Sequence, residues 1–139
     1  MSKSRAIKAR RKIKAHLRRR GSDCNFDITP SYVLYWWHWL NKAIFDEQLT
    51  PPNFIDVKDL DKDGYHAMCI AKWEYSKKSP VILEINDYFE DKFFFITILA
   101  HEMVHQWEQK TYARMSHGSH FFQWKEKFNN LKIPLDKCY

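Results

Sequence analysis

A chain of 139 residues, 45% apolar and 17% aromatic, can close one hydrophobic core and is too short for two ordinary domains. It has no apolar run of the roughly eighteen residues a spanning helix needs and no apolar signal-peptide core, so a membrane protein and Sec-type secretion are not expected. The net charge of +6 belongs to one end: residues 1–20 carry ten Lys or Arg and no acid, leaving 13 basic against 17 acidic groups elsewhere.

Residues 1–22 read as a basic arm. A helix over residues 2–20 would carry a thin apolar stripe of Ala6, Ala9, Ile13 and Leu17 before Gly21-Ser22-Asp23 breaks it. That stripe offers little area to hold on a core, so the arm is expected to be flexible, or helical only on binding. Lys and Arg neutralise phosphates and release counterions, which makes Arg10, Arg11, Lys12, Lys14, Arg18, Arg19 and Arg20 candidate DNA contacts. A solvated charge run, an anionic membrane contact or a targeting peptide are the competing readings.

Pro30-Ser31 opens a helix predicted to reach residue 45, with Val33, Trp36, Trp37, Leu40 and Ile44 on its core face and Tyr32, Tyr35 and Trp39 packing beside them. After Pro51-Pro52 come three predicted strands, at 54–58, 65–74 and 81–86. The last alternates Val81, Leu83 and Ile85 on one face with Ile82, Glu84 and Asn86 on the other and is a candidate edge for taking up substrate backbone. Asp59 to Gly64 imitates the start of an EF-hand loop, but Ile70 stands where the twelfth-position Glu belongs. A hairpin turn with Asp63-Gly64 at its tip is the expectation. Helices are predicted again over 93–110 and 119–131, the second with Phe121, Trp124, Phe128 and Leu131 along one side and Pro134 beyond its end. Cys24, Cys69 and Cys138 are odd in number and scattered, which suggests reduced thiols in a cytoplasmic or nucleoid-associated protein, with Cys69 as a small core residue.

The chemistry lies in His101-Glu102-Met103-Val104-His105, directly after the apolar run from Phe93 to Ala100. Histidines four apart on a helix point the same way and can converge on one metal ion, while Glu102 reaches the space beside it. That is the layout of a zinc hydrolase with two ligands and a base. Buried imidazoles need partners, and a metal satisfies two at once. A third ligand is required, and the pattern His-Glu-x-x-His-x-x-Gly-x-x-His does not supply it, because Glu108 stands in place of Gly and Thr111 in place of His. Glu126 sits in an amphipathic Lys-Glu-Lys run and reads as solvated. Glu108 shares a face with both histidines and can support them from behind. His117 and His120 remain as candidate ligands. His117 is preferred, because Gly118 permits a close turn and Phe121 would anchor the next helix in the core.

With Asn41-Lys-Ala-Ile-Phe-Asp-Glu-Gln-Leu49, the strand Val81-Ile-Leu-Glu-Ile-Asn86, His101-Glu102-Met103-Val104-His105 and His117-Gly118-x-x-Phe121, the chain resembles the SprT-like (Spartan-type) zinc metallopeptidases from about residue 31 to 131. The resemblance implies an α+β, zincin-like single domain over residues 23–139: an N-terminal helix, a small, mainly antiparallel three-stranded sheet, a central His-Glu-x-x-His helix and a C-terminal helix. It implies one zinc ion on His101, His105 and His117, with Glu102 as catalytic base, and action on proteins associated with or crosslinked to DNA. Ser119 replaces a frequent Pro, and the cysteine zinc ribbon of many relatives is absent.

In this reading Glu102 takes a proton from a zinc-activated water as it attacks a peptide carbonyl, with Tyr112 or His120 as further transition-state donors. The rival is a nucleic-acid-binding accessory protein with a structural or vestigial zinc site, which would have no use for Glu102. A metal-dependent hydrolase of non-peptide bonds is a third. Oligomeric state is not readable from the sequence.

Overall fold

The basic segment is helical and docked. In the computed structural model, which describes residues 3–18, 27–137 and 139, α1 runs over Lys3–Leu17 and buries Ala6, Ala9, Ile13 and Leu17. The stripe packs along α2, Pro30–Ala43, within the apolar cluster that holds Val33, Trp36 and Leu40. This corrects the expectation of an arm unable to hold on a core. Ala6 and Ala9 let the two helix backbones approach, and Ile13 then buries completely. His16 stacks on Trp36 with ring centroids 3.8 Å apart, and Arg5 pairs with Glu47 at 2.6 Å. Arg19, Arg20, Cys24, Cys138 and the break at Gly21-Ser22-Asp23 lie outside the described residues.

Local chemistry starts α2 where expected. Pro30 takes the first helical position, and the Thr29 hydroxyl accepts from the Tyr32 N–H at 3.1 Å. Tyr35, expected to pack, is 46% exposed; the Lys12 ammonium lies 5.8 Å from its ring centre and 5.7 Å from that of Trp39.

The sheet comprises β1 (Phe54–Lys58), β2 (Ala67–Ala71) and β3 (Val81–Asn86) in the order β1-β3-β2. β3 runs parallel to β1 and antiparallel to β2, so the sheet is mixed rather than mainly antiparallel. β3 is central and cannot be the edge that takes substrate. Its Val81, Leu83 and Ile85 are the most deeply buried apolar strand side chains, and a strand so apolar gains most from being covered on both flanks. The Asp59–Gly64 stretch is likewise no hairpin, because the strands it joins lie on opposite edges. It forms a 3-10 turn at Asp61–Asp63, ended by Gly64 at φ 80°, where a left-handed backbone favours glycine. Buried Asn86 fastens it, accepting from Leu60 N–H at 2.8 Å and donating to Asp61 at 2.9 Å.

Across one face of the sheet lies α3, Lys92–Tyr112, capped by the Asp91 carboxylate accepting from Phe94 N–H at 2.7 Å. Residues 95–109 are buried without interruption, as the apolar lead-in predicts. Trp37 Nε1 donates to Gln106 at 3.0 Å and Gln106 donates to the Thr50 carbonyl at 2.6 Å, locking α3 to α2. The expected helix over 119–131 is two short ones, α4 (Ser119–Phe122) and α5 (Lys125–Asn130), broken by a turn that places Trp124 between Phe45 and Trp107 at 4.7 and 5.1 Å. Among the described residues no helix is long and apolar enough to cross a membrane.

Candidate metal centre

One turn apart on buried α3, His101 and His105 present their rings to the same side, 5.0 Å between centroids. The loop after α3 brings His117 over them. His117 Nε2 stands 3.1 Å from His105 Nε2 and 3.4 Å from His101 Nε2, and the three residues form a cluster able to hold a metal ion. Phe121, fully buried at the start of α4, supports all three imidazoles with its ring centre 4.9 Å from each. The spacing of Phe121 from His117 is therefore a packing requirement.

Glu108 organises this arrangement from behind. Its Oε1 lies 2.8 Å from His105 Nδ1, and its two oxygens accept from the Ser116 N–H and hydroxyl, each at 3.2 Å. An Nδ1–H donated to a carboxylate leaves the Nε2 lone pair facing the cluster. Ser116 Oγ in turn accepts from Gly118 N–H at 3.3 Å, so one buried carboxylate sets both a ligand ring and the loop that carries His117. Gly118 itself has an ordinary φ of −98°, and a Cβ there would meet only Ser116 Oγ, at 3.5 Å. The turn therefore does not depend on glycine's freedom, contrary to expectation.

Glu102 sits beside the histidines on the side facing β2. Its Oε1 accepts from the Cys69 N–H at 2.9 Å, and its Oε2 is 3.8 Å from His101 Nε2. Burial pushes its carboxyl up to about 7, against the opposing pull of His105 and the Cys69 N–H. A carboxyl near neutrality is suited to taking and returning a proton. Burial, reinforced by the neighbouring imidazoles, holds His101 down at about 3; burial and His105 likewise lower His117. Neutral imidazoles are the form that binds a metal. The Cys69 thiol, buried and facing Glu102 and Glu108, is raised well above its usual range and is an inert core group, as expected.

The C-terminal segment closes one side. The Tyr139 ring lies 5.2 Å from that of His101, and its hydroxyl accepts from Asp136 N–H at 3.0 Å and donates to the Pro134 carbonyl at 2.9 Å. His101 Nδ1 is buried beside the Asp136 backbone, short of hydrogen-bond geometry. Lys137 lines the cavity of about 370 Å³ that opens onto His101, Glu102, His105 and His117. Nothing local in the sequence marks Lys137, which reaches the site only because the chain folds back after α5.

His120 and Tyr112 are not in that lining. They stack on each other, 3.8 Å between centroids and both exposed, so the structure does not bring them to the reacting space. Glu126 is exposed on α5, as its charged surroundings suggest. Of the basic candidates, Arg11, Lys12, Lys14 and Arg18 are exposed and Arg10 half-buried, all on or just after α1. Comparison with protein-family models, with curated proteins and with solved structures finds no match to this chain.

Proposed function

We propose that the chain is a zinc-dependent endopeptidase. One observation carries the reading: three imidazole Nε2 atoms converge within a cavity that also exposes a buried carboxylate, Glu102. Zinc–imidazole bonds of about 2.0–2.1 Å at a tetrahedral angle put ligand nitrogens about 3.3–3.4 Å apart, close to the 3.1 and 3.4 Å of this cluster. With His105 Nδ1–H donated to Glu108, the His105 Nε2 lone pair is turned into the cluster, where a cation can take it up together with the other two imidazoles. The resemblance of the His-Glu-x-x-His and His-Gly-x-x-Phe stretches to SprT-like metallopeptidases agrees with this ligand set.

A zinc ion bound there supplies Lewis-acid polarisation of the scissile carbonyl and acidifies water. The chain's own groups do the rest. Cys69 N–H holds Glu102 Oε1, leaving Oε2 to accept the proton of the attacking water and return it to the leaving amine. Lys137 places a positive charge at the rim where negative charge develops. The outer edge of β2, which no strand among the described residues covers, offers its backbone to an extended substrate in place of central β3. DNA-associated proteins are the proposed substrates, with the outward cations of α1 as the DNA contact.

The test compares zinc content and cleavage of an unstructured, DNA-bound protein by the intact chain and by Glu102→Gln. Zinc in both with cleavage reduced about 10²- to 10⁴-fold in the variant is expected. Equal cleavage, or no zinc in either, overturns the peptidase reading. Zinc in both with DNA binding and no cleavage establishes the accessory-protein alternative.

A further inference from the structure

A second cavity, of about 390 Å³, adjoins the metal centre and shares Met68, Cys69 and Met115 with it. It lies between the outer edge of β2 and the end of α3. Two alanines make the space. Ala71 follows buried Cys69 on the helix-facing side of β2, and Ala113 ends α3 in a left-handed turn at φ 59°. Met115 adds an apolar, adaptable wall, and Met68 and Ile70, whose side chains alternate with those of Cys69 and Ala71, border the cavity from the strand. Glu74 and Arg114 add one charge of each sign, so no net charge is favoured.

The strand register fixes what can enter. Asn86 N–H donates to the His66 carbonyl at 2.8 Å and Lys72 N–H to the Pro80 carbonyl at 3.0 Å, so the even-numbered residues face the β3 flank. Ala67, Cys69 and Ala71 therefore turn their backbone groups to the outer edge, where Glu102 takes the Cys69 N–H and no strand among the described residues pairs with Ala71. Consider an extended peptide that pairs on the outward backbone groups of Ala71 and leads from there towards Glu102. The residue paired there sets its side chain over Ala71, two residues or about 6.6–6.8 Å from the residue that reaches Glu102.

We propose, resting on the peptidase reading, that this cavity is a specificity pocket for one large apolar substrate residue, Leu, Met or Phe, close to the scissile bond. Pairing through backbone alone would make cleavage nearly independent of side chains. The pocket beside Ala71 adds a side-chain requirement.

The test incubates the zinc-loaded full chain with a library of unstructured peptides and sequences the cut ends by mass spectrometry. Leu, Met and Phe should be enriched at one fixed position within about two residues of the cut, roughly tenfold over Gly and Ala. Ala71→Leu should shift that preference to small residues by a similar factor while zinc content stays unchanged. Met115→Ala, cut from the opposite wall, should shift it towards larger residues and serves if the first variant folds poorly. Cutting without preference at any position, or a preference unmoved in both variants, overturns the pocket and leaves the peptidase reading standing. No cutting of any peptide by a chain that cuts the DNA-bound protein overturns the pocket alone; cutting of neither overturns both.

Discussion

His105 Nδ1 and Glu108 Oε1 are 2.8 Å apart inside a helix where Glu108 is almost wholly buried. The same carboxylate holds Ser116, so ring orientation and loop position are one linked arrangement. Glu108→Leu keeps most of the volume and removes both acceptor oxygens, leaving the His105 Nδ1–H and the Ser116 N–H without their partner. Zinc affinity should fall about 10- to 100-fold, measured by competition with a chromophoric chelator. An affinity equal to the parent's would show that Glu108 only fills space.

Acid should destabilise the metal-free protein through His101. Its folded value of about 3 lies below the ordinary 6.5, so the folded state favours the neutral ring. That contribution is fully present above pH about 6.5 and is lost as pH falls towards about 3. Glu102, raised to about 7, acts in the opposite sense over the same window, so the His101 contribution is read as a difference: between pH 7 and pH 4.5 the thermal midpoint of the chelator-treated parent should fall relative to that of His101→Asn. Saturating zinc should raise the midpoint at pH 7 and lose this effect as acid protonates the ligands.

Ile13 is fully buried between α1 and α2, so Ile13→Ala should cost about 2–5 kcal/mol, read as a lower denaturant midpoint with an unchanged slope. A free basic arm would show no loss.

If α1 contacts DNA from its outward face, Arg11→Ala and Lys14→Ala should each reduce the slope of log affinity against log salt by about one. Their folding midpoints should stay close to the parent's, because both side chains are exposed. Unchanged slopes would place the DNA contact elsewhere or remove it.

Local patterns were readable and distant pairings were not. His101, Glu102 and His105 follow from helical periodicity, and His117 from an imidazole placed one loop later ahead of an aromatic anchor. The start of α2 was likewise visible in Pro30, and that of α3 was available in Asp91, an N-cap residue just before an apolar helix. Strand order was not, because the pairing of β3 with both neighbours is set by burial across the whole sheet. The docking of α1 is hidden from the sequence for a related reason. Its stripe looks thin in isolation and becomes sufficient only against the broad face of Trp36 and Leu40. His120 and Tyr112 looked chemically apt by residue type, yet an exposed stack of two rings satisfies them without the metal centre.

The Cys69 to Glu102 bond has a consequence for how this protein can change. The donor is main chain, so the carboxylate's grip survives whatever side chain stands at position 69, provided it fits the core. Proline alone removes the N–H. Sulfur at that position is then incidental to the chemistry, and the restraint on the proton acceptor travels with the path of a strand rather than with the identity of any residue in it.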